Sequence, residues 1–199
     1  MDEIWINIPS GKVHGMQAGA GPLVLALHGW SQRNGWHTWQ PLLPPLAEAG
    51  YRAISVDMPG WGASPPLPAG QLHTESAVPV VVELLEALGV DAATLMGKSW
   101  GGGVALQTAL DHPQRVANLI LTAPAFKRLD RLGEIRQPVL LAWAEDDPVI
   151  PIRFARDYVM NVPQIALVTY ETGGHSAAPK NAADFAPRAI AFLQQGNDD

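Results

Sequence analysis

The segment Gly97-Lys98-Ser99-Trp100-Gly101 constrains this chain more than any other, because of what flanks it. Ala92 to Met96 is a short apolar stretch that reads as a buried strand, and Gly102 to Leu110 reads as a helix packed on a sheet. A strand, a serine and a helix in so few residues require a sharp turn, with Ser99 at its apex in a strained backbone conformation. Gly97 and Gly101 fit because neighbouring backbone crowds both positions. The helix that follows aims its free N–H groups and the positive end of its dipole at the serine. The same pattern also occurs in ordinary glycine-rich turns, so its weight depends on whether an acid and a base follow.

An acid does follow. Pro138 to Ala144 reads as a buried strand that runs into Glu145-Asp146-Asp147-Pro148. A carboxylate just past a strand end can accept a hydrogen bond from imidazole and hold one tautomer. Asp147 is the favoured residue and Asp146 its competitor, and at least one of the three acids serves as a solvated turn residue. A base comes next. Ile165 to Tyr170 is a strand rich in β-formers, and the loop Glu171-Thr172-Gly173-Gly174-His175-Ser176 places His175 before a closing helix over residues 180 to 195.

Donors for a developing oxyanion should come from an early loop. Leu23 to Leu27 is wholly apolar and leads into His28-Gly29-Trp30. The backbone N–H groups of Trp30 and Trp100 are the expected oxyanion hole, since donors fixed in advance are usually the largest catalytic contribution. His28 reads as a structural histidine that shapes this loop. Gly29, Trp61 and Phe126 are the candidate substrate contacts. Trp30, Trp36, Trp61 and Trp100, four of the seven tryptophans, fall on site-forming loops, where they either line an acyl pocket or simply pack the loops. Lys98, Arg33 and Lys127 are placed near the rim as ordinary surface charge or as a preference for an anionic leaving group.

With these parts in order, the chain resembles the α/β-hydrolase fold superfamily over nearly its whole length. The order Ser99, Asp147, His175 matches that superfamily's chain order. Asp57-Met58-Pro59-Gly60-Trp61-Gly62-Ala63-Ser64 resembles its D-x-P-G-x-G-x-S segment, and Asp111-His112-Pro113 its usual exit from the helix after the serine. Trp143-Ala144-Glu145-Asp146-Asp147 resembles W-G-x-x-D, with Ala144 for Gly, and favours Asp147 as the acid. The resemblance implies an α/β fold: a mainly parallel eight-stranded sheet, an opening antiparallel hairpin over residues 3 to 8 and 12 to 18, and helices on both faces. Only Phe126 to Gln137 separates two core strands, which leaves no room for a cap, so one lidless domain over residues 1–199 is expected. That layout is similar to the small CIB-type hydrolases. Prolyl aminopeptidases and carbon–carbon bond hydrolases rely on caps, and epoxide hydrolases use Asp where this chain has Ser99.

The implied chemistry is a serine carboxylesterase mechanism on small esters or thioesters, with no metal or organic cofactor required. Transfer of the acyl group to a thiol or alcohol is the alternative, and a non-catalytic binding or scaffold protein the second. Charge and composition narrow the setting. A net charge of −6 argues against nucleic acid as a partner. No cysteine is present, which removes disulfides, thiol nucleophiles and thiolate metal sites. Met1-Asp2-Glu3-Ile4-Trp5 lacks a signal-peptide layout, and no apolar run reaches the roughly 20 residues of a membrane span. A cytoplasmic monomer or homodimer acting on a small-molecule acyl substrate is expected. Ser64 to Gly70 reads as a proline-rich surface loop beside the site, and His73 just beyond it as solvated.

Overall fold

The apolar strands form in the order the sequence implies. The computed structural model describes residues 1–68 and 70–195. Ala69, inside the expected proline-rich loop, and residues 196–199 of the expected domain lie outside the described residues. The strands are β1 (Asp2–Ile8), β2 (Gly11–Ala18), β3 (Leu23–Leu27), β4 (Arg52–Val56), β5 (Ala93–Lys98), β6 (Val116–Thr122), β7 (Val139–Ala144) and β8 (Ile165–Tyr170). They build one sheet in the order β1-β2-β4-β3-β5-β6-β7-β8. β1, β2 and β4 pair antiparallel, and β4 through β8 pair parallel. The α-helices are α1 (Leu43–Glu48), α2 (Thr74–Ala87), α3 (Trp100–Asp111), α4 (Ala155–Asn161), α5 (Ala177–Lys180) and α6 (Ala182–Gln195).

The lack of alternation in the central strands has a direct cause. Both faces of the sheet are covered, so every residue of β3, β5 and β7 is buried. Successive side chains go to opposite faces. Leu23, Leu25 and Leu27 join one core with Val80, Val81 and Leu84 of α2, Val104 of α3 and Tyr158 of α4. Val24 and Ala26 join the other with Leu43 and Leu46 of α1 and Phe185 and Ala189 of α6. Each leucine so enclosed contributes about 1.5–3 kcal/mol of transfer free energy. The second core uses small strand residues, among them Ala26, Ala53, Ala142 and Ala144, and fills the space with Trp39 and Phe185.

Two details refine the sequence expectation. The closing helix forms close to its expected bounds as α6, and a break separates it from the short α5, which ends at Lys180. Asn181 makes the break by donating from its side chain to the carbonyls of Ala177 and Thr172, while its own carbonyl accepts from Phe185. The segment between β6 and β7 forms a single 3-10 stretch, Leu129–Glu134, so no cap stands over the strand ends among the described residues. No described helix is long and apolar enough to cross a membrane.

The topology fixes where a site can lie. The chain runs from β3 to β4 on one side and then crosses back to β5 on the other. Loops leaving the ends of β3 and β5 therefore diverge and open a crevice, the usual ligand position in open α/β sheets.

Candidate active site

Ser99 stands at that crevice with φ 51 and ψ −116, one of two non-glycine residues with positive φ among those described. Such a conformation costs on the order of 1–3 kcal/mol and persists only where surrounding structure over-determines it. Here the cause is close packing of α3 on the sheet. A Cβ on Gly97 would lie 2.5 Å from the Gly101 carbonyl oxygen, and one on Gly101 would lie 2.5 Å from the carbonyl oxygens of Leu27 and His28. Backbone hydrogen bonds complete the clamp. The Ser99 N–H donates to Thr122 at 3.0 Å, and the Ser99 carbonyl accepts from Gly103 at 3.0 Å and Ala125 at 2.8 Å.

The acid and the base meet across the ends of β7 and β8. His175 Nδ1 lies 2.9 Å from Asp147 Oδ2. The other carboxylate oxygen accepts from the N–H groups of Val149 at 2.8 Å and Ile150 at 3.0 Å. The Asp147 side chain is fully buried and that of His175 is 17% exposed. Because a carboxylate only accepts, Nδ1 is the donor in this pair, which in a neutral imidazole leaves Nε2 as the acceptor. That Nε2 is buried and has no hydrogen-bond partner among the described residues. The two neighbouring acids part company: Asp147 faces His175, whereas Asp146 Oδ1 accepts from the Gly174 N–H at 2.6 Å and ties down the histidine loop. Gly173 at φ 144 and Gly174 at φ 55 make the turn that brings His175 back over the sheet.

The loop after β3 is organised by His28. Its Nδ1 lies 2.8 Å from the Gly29 carbonyl, and the Met58 N–H donates to its Nε2 at 3.0 Å. A carbonyl cannot donate and an amide N–H cannot accept, so His28 is neutral with its proton on Nδ1. Complete burial supports this by pushing its pKa down from 6.5 to about 4. The Gly29 carbonyl is thereby turned toward His28, and in a trans peptide the Trp30 N–H points the opposite way. The His28 carbonyl accepts from the Gly101 N–H at 3.1 Å, which couples this loop to the start of α3. Gly29 itself packs on the serine; a Cβ there would sit 3.6 Å from Ser99 Cβ.

The tryptophans divide by role. Trp30 and Trp100 line a cavity of about 380 Å³ together with Ser99, Gln107, Phe126 and Lys127. Trp61, expected as a substrate contact, does not line it. It is 1% exposed, stacks on Trp100 with ring centroids 4.9 Å apart, and donates from its indole to the Trp30 carbonyl at 2.9 Å. It holds the cavity wall from behind because the glycines at 60 and 62 fold its loop inward. Trp36 contributes its backbone instead, an N–H donated to Asp57 at 2.7 Å. His73 is not merely solvated: it stacks on Trp30 at 5.9 Å and joins the cavity wall. Lys98, expected at the rim, is buried. Its ammonium donates to Asn34 Oδ1 at 3.3 Å, and desolvation first, then the charge of Lys180, lowers its pKa.

Asp57 is a hub that sequence reasoning noticed only as part of a motif. Its carboxylate accepts from the N–H groups of Trp36 and Ala63 and lies 2.7 Å from His14 Nδ1. A Cβ on Gly62 would lie 2.2 Å from the Asp57 carboxyl carbon, which explains the glycine. Ser64 completes the knot by accepting from the His14 N–H and donating to the Asp57 carbonyl. The signal was present in the D-x-P-G-x-G-x-S spacing; the partner His14, 43 positions earlier, was not.

Comparison with known proteins gives a consistent setting. A family model described as alpha/beta hydrolase fold matches residues 22–131. A 2-hydroxy-6-oxo-6-phenylhexa-2,4-dienoate hydrolase of Burkholderia cepacia is 24% identical over 263 aligned positions, covering 93% of this chain and 92% of that protein. The bifunctional epoxide hydrolase 2 of Sus scrofa is 35% identical over 109 positions, 54% of this chain and 19% of that protein. The crystal structure of a predicted CIB-like hydrolase from Thermoplasma acidophilum superposes with a TM-score of 0.87 at 26% identity, covering 98% of both chains.

Proposed function

The chain belongs to the alpha/beta hydrolase fold family, and within it we propose that it is a serine hydrolase that cleaves small carboxylic esters or thioesters through an acyl-enzyme on Ser99. The supporting observation is the setting of His175: its Nδ1 donates to Asp147, and its Nε2 is buried and has no partner among the described residues. A nitrogen so held is ready to receive a proton from a hydroxyl brought against it.

In this reading His175 takes the Ser99 proton as Ser99 Oγ attacks the acyl carbonyl. Asp147 stabilises the imidazolium without taking its proton. The carbonyl oxygen becomes an oxyanion facing the N–H groups of Trp30 and Trp100, neither of which is engaged elsewhere among the described residues. His175 then returns the proton to the leaving alkoxide or thiolate, and water, activated by the same nitrogen, releases the acid. The open cavity favours small substrates. The Burkholderia relative aligns over 263 positions, more than the 199 residues here, so it carries segments that this chain lacks.

The test is steady-state hydrolysis of p-nitrophenyl acetate, butyrate and octanoate beside Ser99→Ala. Turnover of the shorter esters that disappears in Ser99→Ala supports the reading. Equal rates in both proteins, or none in either, overturn it.

A further inference from the structure

A second cavity, about 200 Å³, adjoins the first and shares two wall residues with it, Ala125 and Phe126. Its other walls include Leu129, Ile150, Phe154 and Tyr158, and Asp157 stands at its edge. We propose that this cavity is a substrate subsite that takes the neutral, apolar end of the acyl group, and that the Phe126 ring is the partition that sets how long that group can be. This rests on the serine-hydrolase reading for the first cavity, where Ser99 stands, but not for the existence of the subsite.

The backbone carrying Phe126 is pinned on several sides. The Ala125 N–H donates to the Ser99 carbonyl at 2.8 Å, and the Ala123 N–H donates to Ala142 at 3.2 Å. Tyr158 OH donates to the Pro124 carbonyl at 2.9 Å. On the α3 side, a Cβ on Gly103 would lie 2.2 Å from the Ala125 carbonyl oxygen, so helix and loop backbones are in direct contact. The loop therefore cannot swing as a unit without releasing the nucleophile's own hydrogen bonds. The Phe126 side chain is packed in the core, so it turns about its own torsions only as its neighbours give way. Phe126 is 9% exposed and touches both cavities, so a change of its rotamer joins them.

The chemistry of the two chambers differs. The first has His73, Glu75, Lys127 and Arg128 at its walls, which suits the polar reacting bond and its leaving group. The second is apolar but for Asp157, whose charge opposes a carboxylate at the far end of the acyl group. Ile150, one of its walls, also donates its N–H to Asp147, so the subsite adjoins the loop that holds the acid.

The experiment compares kcat/KM for p-nitrophenyl hexanoate and acetate in the wild type, Phe126→Ala and Leu129→Trp. Each methylene buried is worth about fourfold. Removing the partition should raise the hexanoate-to-acetate ratio at least about tenfold, and filling the second chamber should lower it about fivefold or more. A ratio within about twofold of wild type in both variants overturns the proposal. A second readout does not need turnover: backbone amide spectra of Ser99→Ala titrated with 1-hexanol. Shifts at Leu129, Ile150 and Tyr158 are expected. Shifts confined to Trp30 and Trp100, or none, overturn the subsite even where esters are hydrolysed. Shifts at the expected amides without ester turnover keep the subsite and remove the esterase reading.

Discussion

The serine arm and the histidine arm of the site are held by different means. Ser99 is fixed by backbone against backbone: strained φ, glycines that admit no Cβ, and carbonyl and amide bonds to Thr122, Gly103 and Ala125. His175 is fixed by a few side-chain hydrogen bonds on loops: its Nδ1 donates to Asp147, the Gly174 N–H donates to Asp146, and the Asn181 side chain donates to the Thr172 carbonyl. The strands behind them differ in the same way, β5 being wholly buried and β8 half-exposed at the sheet edge. In the proposed serine-hydrolase reading, a site built so holds Ser99 rigidly and leaves adjustment to His175. Changes on the serine arm should therefore cost stability, and changes on the histidine arm should cost rate.

Five substitutions can break or sharpen that contrast. His175→Ala and Asp147→Asn should each lower kcat by about 10⁴-fold, with melting temperatures close to wild type, measured by ester turnover and calorimetry. Gly101→Ala should act oppositely. Its Cβ would meet two carbonyl oxygens at 2.5 Å, so a loss of more than about 3 kcal/mol in denaturant titration is expected. A stable Gly101→Ala with only a rate defect would break the contrast.

His28 tests the serine arm by pH. Its folded pKa of about 4 lies below its ordinary 6.5, so the unfolded chain binds the extra proton between those values. The stability it contributes is fully present above pH 6.5 and is lost as pH falls toward 4, amounting to about 3 kcal/mol. Urea titrations from pH 7.5 to 4 should show that decline, and His28→Asn should flatten it. The smallest effect belongs to Asp146→Ala, which frees the Gly174 N–H. A kcat loss of about tenfold or less is expected, with unfolding free energy changed by under about 1 kcal/mol.

What could be read in the sequence was what is local. The apolar runs of the central strands, the turn around Ser99 and the positions of Asp147 and His175 just past strand ends each need only neighbouring residues, and the eight strands fall close to their expected bounds. What could not be read depends on which loops meet. Trp61 looks like a substrate contact until its indole is seen bonded to the Trp30 carbonyl. Lys98 looks like a rim charge until its side chain is seen folded onto Asn34, 64 positions away. His73 is exposed as expected, but its ring also stacks on Trp30, and Asp146 competes with Asp147 for the acid role until it is found bonded to the Gly174 N–H. These contacts are between segments far apart in sequence, and no local pattern encodes them.

The most direct measurement is the rate at which a small alkyl fluorophosphonate adds to the protein, followed by intact mass and peptide mapping. One adduct on Ser99 is expected, absent in Ser99→Ala and slowed about a thousandfold in His175→Ala. Labelling of Ser99 at the same rate in His175→Ala, or labelling that persists in Ser99→Ala, would contradict the assignment of nucleophile and base.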